Sequence, residues 1–245
     1  MIELEGVAFG WPQAPAAFAG LNCRIGPGEK VVLLGHNGSG KSTLLKLLDG
    51  LVFATAGRCL YDGVELTPRQ FRDKAWSRCF RQEVGLLFQD PEAMLFNPTV
   101  REEIAYGPRQ LGLPDADARV AHWARELQLE PLLGHAPFNL SGGQKQKVAL
   151  AAVLALEPKV LLLDEPWANL DPRAAGWLMQ YLARTQATVV VSTHNLWLAQ
   201  ALGERCLILG DQRGGLLYDG PVADALADQA LLASAQLYHP AAGPK

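Results

Sequence analysis

The sequence is poor in cysteine and has no long hydrophobic run. Its four cysteines, Cys23, Cys59, Cys79 and Cys206, lie far apart and form no C-x-x-C pair. That spacing argues against a structural metal site or a disulfide framework, and suits buried thiols in a reducing compartment. Apolar runs such as Val148 to Leu156 fall well short of the ~20 residues of a membrane-spanning helix, so a soluble chain is expected. The opening "MIELEGVAFGWP" has neither a basic n-region nor an apolar h-region, so no signal peptide is expected. The formal net charge is −3 and the basic residues are scattered. No basic patch marks a nucleic-acid partner. There is no internal repeat, low-complexity tract or long linker, and the final "HPAAGPK" reads as a frayed tail.

What is present is apolar sequence in short runs. The 245 residues are 49% hydrophobic, which suits one α/β domain or one domain with an inserted subdomain. Val31 to Leu34 reads as a strand buried on both faces. Gly35 to Ser42 then fits G-x-x-x-x-G-K-[ST], and Ser42 to Leu48 has helical apolar spacing with Gly50 as a stop. Glycines at such a loop let backbone N–H groups approach phosphate oxygens, and the helix N-terminus adds partial positive charge. Lys41 is placed to reach the β- and γ-phosphates, and the Ser42 hydroxyl to ligate Mg²⁺.

A second strand, Val160 to Leu163, ends in Asp164 and Glu165. Two carboxylates at a buried strand end are costly unless a cation or a proton-transfer role retains them. Asp164 fits the Mg²⁺-linked acid of P-loop nucleotidases, and Glu165 is placed to polarise a water. Further on, Leu140-Ser141-Gly142-Gly143-Gln144 precedes a helix with Val148, Leu150, Ala151, Val153 and Leu154 on an apolar face and Pro158 past its end. Alone, that is a helix N-cap with an anion-binding terminus.

With "LSGGQ" the sequence resembles the nucleotide-binding domain of ATP-binding-cassette proteins. The resemblance runs through Trp11, the phosphate loop, Gln89, "LSGGQ", "LLLDEP", "NLDP" and "STHN". It implies ATP at Trp11, Gly35, Asn37, Gly38, Ser39, Gly40, Lys41, Ser42 and Thr43, with Trp11 stacked on adenine and Phe9 or Phe18 as alternative rings. It implies Mg²⁺ at Ser42, Gln89 and Asp164, and catalytic roles for Lys41, Gln89, Glu165 and His194. Ser141, Gly142, Gly143 and Gln144 would complete the ATP site of a second subunit, and Asp171 would lie in the loop crossing that interface. A homodimer is the simplest assembly. Three positions depart from the pattern: Trp167 where Thr is common, Asn195 where Asp is common, and Lys147 where Arg is frequent.

The stretch "VGLLFQDPEAMLFNPTVREEIAYGP" resembles the corresponding region of energy-coupling-factor ATPases, which include cobalt and nickel transport subunits. The resemblance implies a subunit on the cytoplasmic face of the membrane. Its partners would be an integral coupling subunit and a membrane subunit that captures the solute: cobalt, nickel, biotin or another vitamin. Other importers and soluble cassettes are the rival readings. Glu92, Met94, Leu95 and Phe96 are the candidate coupling residues, with Asp90, Glu92, Glu102 and Glu103 attracting a basic partner helix. Leu95 and Phe96 as subdomain core is the alternative.

The expected fold is α/β: a P-loop NTPase (RecA-like) core with an antiparallel β subdomain over about 1–90 and 158–210. An inserted helical subdomain spans about 91–157. A strand pair, "RCLILGD" and "GLLYDG", and one helix near Val222 to Leu232 close the chain at about 205–235.

Overall fold

The computed structural model describes residues 1–13, 16–210, 215–239 and 243–244. They divide into two compact units, 1–77 with 186–245, and 78–185. The chain first forms β1 (Ile2–Gly10), β2 (Ala16–Ile25), β3 (Lys30–Leu34), α1 (Lys41–Leu48), β4 (Ala56–Tyr61) and β5 (Val64–Glu65). Helix α2 (Lys74–Glu83) leads into β6 (Val84–Leu87), α3 (Val100–Gln110), α4 (Ala116–Glu126), α5 (Gly142–Leu154), β7 (Val160–Asp164) and α6 (Pro172–Arg184). Then follow β8 (Thr188–Thr193), α7 (Leu196–Leu202), β9 (Arg205–Leu209), β10 (Leu216–Pro221), α8 (Val222–Ala227) and α9 (Gln229–Ser234).

The first unit contains the expected antiparallel sheet, in the order β2-β1-β4-β5. Ile2, Leu4, Val7, Phe9 and Phe18 are all buried; alternation along β1 is reset by a register shift between Leu4 and Val7, which returns Val7 to the buried face. The same unit contains β3 flanked in parallel by β8 and β9, with β10 antiparallel on β9. Val31 to Leu34 and Val189 to Val191 are buried throughout. Continuous apolar runs of this kind are what a strand covered on both faces needs. Arg205 ties the strand ends together. It makes two bonds to Asp219 (2.7 and 2.8 Å), one to Glu29 (2.9 Å) and one to the Arg24 carbonyl (2.8 Å).

In the second unit β6 and β7 are parallel, and helices α3, α4 and α5 lie between them in sequence. Gly85 on β6 carries no side chain because a Cβ there would meet Val153 at 2.8 Å.

The C-terminal segment corrects one expectation. In place of one helix over Val222 to Leu232 there are two, because Asp228 is extended (φ −91°, ψ 91°) and caps α9 by accepting from Leu231 N (2.9 Å). Aspartate favours this role over a helix interior. The strand pair forms as β9 and β10, with Asp211 of "RCLILGD" outside the described residues. Of the tail, 240–242 and 245 lie outside them too, and Tyr238–His239 pairs with Gly243–Pro244. No helix among the described residues is long and apolar enough to cross a membrane.

Three thiols are chemically quiet. Burial pushes Cys23, Cys59 and Cys206 up to about 12, so on the order of one in 10⁵ is thiolate at neutral pH. Cys79 is exposed. A maleimide should therefore label Cys79 first in the native protein, and the others only on unfolding. Peptide mass spectrometry checks this, and labelling of Cys59 as fast as Cys79 would contradict it.

Candidate functional site

In the first unit the loop after β3 is built to bring backbone close to a ligand. Gly40 (φ 97°) opens α1 with no side-chain cap, and a Cβ there would come within 3.1 Å of the Ala17 carbonyl. At Gly35 a Cβ would meet Ser39 Oγ at 2.4 Å. Both positions therefore require glycine. The Ser39 hydroxyl is buried without a partner. Lys41 is 7% exposed and its Nζ donates to the Gly35 (2.7 Å) and His36 (3.1 Å) carbonyls, so the ammonium lies across the loop. An uncapped helix end, an orphan hydroxyl and a lysine folded over bare backbone form a cradle suited to phosphate.

Strand register places the other candidate of this unit beside the loop. Leu34 pairs with Thr193 in parallel, so Gly35 and His194 leave neighbouring strands at the same carboxyl end, where ligands of α/β sheets bind. His194 is exposed. Asn195 caps α7, accepting from Trp197 N (2.9 Å) and Leu198 N (3.3 Å). Asn caps as well as Asp, which accounts for the departure at this position. Trp11 is 43% exposed and meets the edge of Phe9 at 5.1 Å. Phe9 and Phe18, the alternative rings, are 6% and 1% exposed.

The second unit repeats the logic. Leu87 pairs with Leu163, so Gln89 and the Asp164-Glu165 pair emerge at one end of β6 and β7. Asp164 is 5% exposed, and Glu165 adopts φ 44°. Such a backbone is uncommon for a non-glycine residue, and it sharply redirects the chain after the strand. Trp167 lies half-buried in the turn that follows, and nothing in the structure explains it in place of threonine.

Helix α5 holds the surrounding segments. Ser141 and Gln144 form a capping box: Ser141 Oγ accepts from Gln144 N (3.4 Å), and Gln144 Oε1 accepts from Ser141 N (2.9 Å). Gly143 lies under the chain at Asn169, whose carbonyl would be 2.5 Å from a Cβ. Buried Gln146 donates to the Pro166 carbonyl (3.2 Å). Lys147 pairs with Asp171 at 2.7 Å, and Asp171 caps α6 through Ala174 N (2.9 Å). The Lys147 hydrogen bond, then the Ala174 amide, hold the Asp171 carboxyl below its ordinary 3.8. This tie is complete above that ordinary value and is lost as pH falls through the lower folded value. Lysine at this position thus has an ion-pair partner in Asp171. Sequence reasoning missed Gln146 and Lys145 as positioning groups, although both directly follow the "LSGGQ" run.

The coupling candidates separate by burial. Phe96 is 66% exposed and packs edge-on to Tyr106 (4.8 Å), which excludes it from a core. Met94 and Leu95 are half-buried, and Met94 Sδ accepts from Phe88 N at 3.3 Å. Two of the acids expected to face a partner do not simply do so. Glu103 is 3% exposed and hydrogen-bonded within the unit, because desolvating a carboxylate requires donors and the turn before α3 supplies them. Glu92 is exposed but paired with Lys145 at 2.5 Å.

The model of the ABC transporter family matches residues 18–168. The nickel import ATP-binding protein NikO of Rhodobacter capsulatus is 45% identical, over 96% of this chain and 94% of its own. The energy-coupling factor transporter ATP-binding protein EcfA of Methanothermobacter thermautotrophicus is 36% identical, over 98% of this chain and 77% of its own. Among solved structures, the dimeric post-hydrolysis state of the ATP-binding cassette MJ0796 with ADP and Pi superposes with a TM-score of 0.78. It is 27% identical, over 91% of this chain and 99% of its own.

A methyl group at Gly143 collides with backbone rather than with a flexible side chain. Gly143→Ala should cost about 1–3 kcal/mol of stability. Gly176→Ala, where nothing lies within 4 Å of the added carbon, should be neutral or stabilising by up to ~1 kcal/mol. Thermal melts of the two variants check the contrast, and equal melting temperatures would refute it.

Proposed function

The chain belongs to the ABC transporter family as an ATP-hydrolysing subunit of the energy-coupling-factor type, and from that premise we propose that it powers import of nickel or cobalt ions. The observation that carries the cargo is the near-full-length identity with a nickel import ATP-binding protein. We place the subunit on the cytoplasmic face of the membrane, bound to an integral coupling subunit.

Each candidate residue has a role in that reading. Trp11 stacks on adenine, being the ring of its group with an accessible face. Backbone from Gly35 to Thr43 wraps the phosphates, and Lys41 exchanges its loop carbonyls for β- and γ-phosphate oxygens. Ser42, Gln89 and Asp164 offer oxygen donors only, with one carboxylate, which fits a small hard cation that keeps phosphate among its ligands. Bound Mg²⁺ would supply charge neutralisation on the phosphates. Glu165 orients the attacking water and accepts its proton, and His194 donates to the γ-phosphate. Ser141, Gly142, Gly143 and Gln144 of a second copy close the site, with Asp171 in the crossing loop. The dimeric form of the relative bound to ADP and Pi supports that assembly.

Phe96 is the docking anchor. Its ring projects to solvent from a turn that follows Gln89 by only a few residues, so a change sensed at the phosphate has a short path to a partner.

Two experiments test this reading. Glu165→Gln should bind ATP normally, lower turnover by about 100-fold or more and elute as a dimer with ATP. Turnover within tenfold of wild type would remove the role of Glu165. The subunit reconstituted with its membrane partners should drive ATP-dependent uptake of radioactive nickel, and Phe96→Ser should abolish it. Uptake of a vitamin but not of either metal ion would overturn the cargo.

A further inference from the structure

An exposed docking turn needs something to hold its backbone, since its outward side chains contribute no burial. Leu95 to Asn97 form such a turn, between a short 3-10 turn at Pro91–Met94 and α3. The group that holds it is a carboxylate. Glu103, in the first turn of α3 and 3% exposed, accepts through Oε2 from Phe96 N (2.9 Å) and Asn97 N (2.7 Å). Its Oε1 accepts from Asn97 Nδ2 (3.1 Å). Three donors satisfy a buried carboxylate that would otherwise be costly. The helix start is fixed independently, by Thr99, whose hydroxyl accepts from Glu102 N (3.2 Å) and donates to Glu102 Oε2 (2.8 Å). Tyr106, three residues after Glu103 on α3, sets its ring against Phe96.

We infer that Glu103 is a positioning residue for coupling: its carboxylate fixes the Phe96–Asn97 backbone so that Phe96 is presented to the membrane subunit in one orientation. The inference rests on Phe96 being the docking anchor. It differs from the reading of Glu103 as a surface charge that attracts a basic helix. A positioning acceptor is replaceable by a neutral acceptor of the same shape, and an attracting charge is not.

The test compares Glu103→Gln with Glu103→Leu in the full-length subunit. Glutamine keeps an oxygen that both backbone N–H groups can reach; leucine keeps none. Affinity for the membrane coupling subunit should fall by less than about threefold for Gln and by about tenfold or more for Leu, the scale of losing hydrogen bonds to a charged acceptor. ATPase activity of both isolated subunits should stay within about twofold of wild type. Amide exchange at Phe96 and Asn97 should be slowed at least about tenfold in wild type and in Glu103→Gln, and unprotected in Glu103→Leu. Wild-type affinity of Glu103→Leu overturns the inference, as does a loss with Glu103→Gln equal to that with leucine. If the leucine variant does not fold, unprotected amides at Phe96 and Asn97 in wild type overturn it alone. Phe96→Ser separates the two readings. If it binds the membrane subunit normally, the docking anchor is wrong; if it loses binding while Glu103→Leu keeps it, only the positioning role is wrong.

Discussion

Three consecutive side chains at the start of α5 tie together three segments that carry candidate residues of the second unit. Lys145, Gln146 and Lys147 succeed one another by about 100° around the helix, so they reach three different segments. Lys145 pairs with Glu92 in the turn after Gln89, Gln146 bonds the Pro166 carbonyl behind Glu165, and Lys147 fixes Asp171. Gly143, one turn earlier, lets the chain at Asn169 pass close above it. A helix is stiff, so movement at its N-terminus carries these contacts with it. The Ser141–Gln144 capping box is thereby mechanically tied to the turn proposed to dock on the membrane partner.

Parallel strand pairing does the corresponding work for the catalytic candidates. In each unit two parallel strands end in register, Leu34 with Thr193 and Leu87 with Leu163. The residues that follow, Gly35 and His194 in one case, Gln89 with Asp164 and Glu165 in the other, therefore leave the sheet at its carboxyl edge. Charged groups gather at the strand ends because the strand interiors are buried on both faces and a charge there would be costly. Backbone conformation then sets direction: left-handed Gly40 and Glu165 turn the chain where an ordinary residue would continue it.

Charge was the least legible property. Glu92, Glu102 and Glu103 look alike in sequence, a cluster of acids around an apolar trio. In the fold Glu92 is exposed and ion-paired, Glu102 accepts from Thr99, and Glu103 is buried against three donors. Nothing local distinguishes them, because the donors to Glu103 are two backbone amides and one side-chain amide six and seven residues away, available only when α3 closes back on the preceding turn. The substitutions at Asn195 and Lys147 are equally opaque in sequence and simple in structure, one a cap that Asn or Asp can make, the other an ion pair to Asp171.

The sequence by itself determined the class of protein and nominated its candidate reactive groups. Glycine spacing, strand-ending carboxylates and "LSGGQ" are local patterns, each demanded by chemistry within a few residues, and they need no tertiary contact to be recognised. It also determined the strands, since short uninterrupted apolar runs of four or five residues have few other uses. Only the tertiary structure decided which acid positions a turn, which aromatic ring has a free face, and that α5 holds three segments at once. It also decided that the last helix breaks at Asp228. These depend on burial and on partners far away in sequence, and a carboxylate or an aromatic ring acquires its role from what surrounds it.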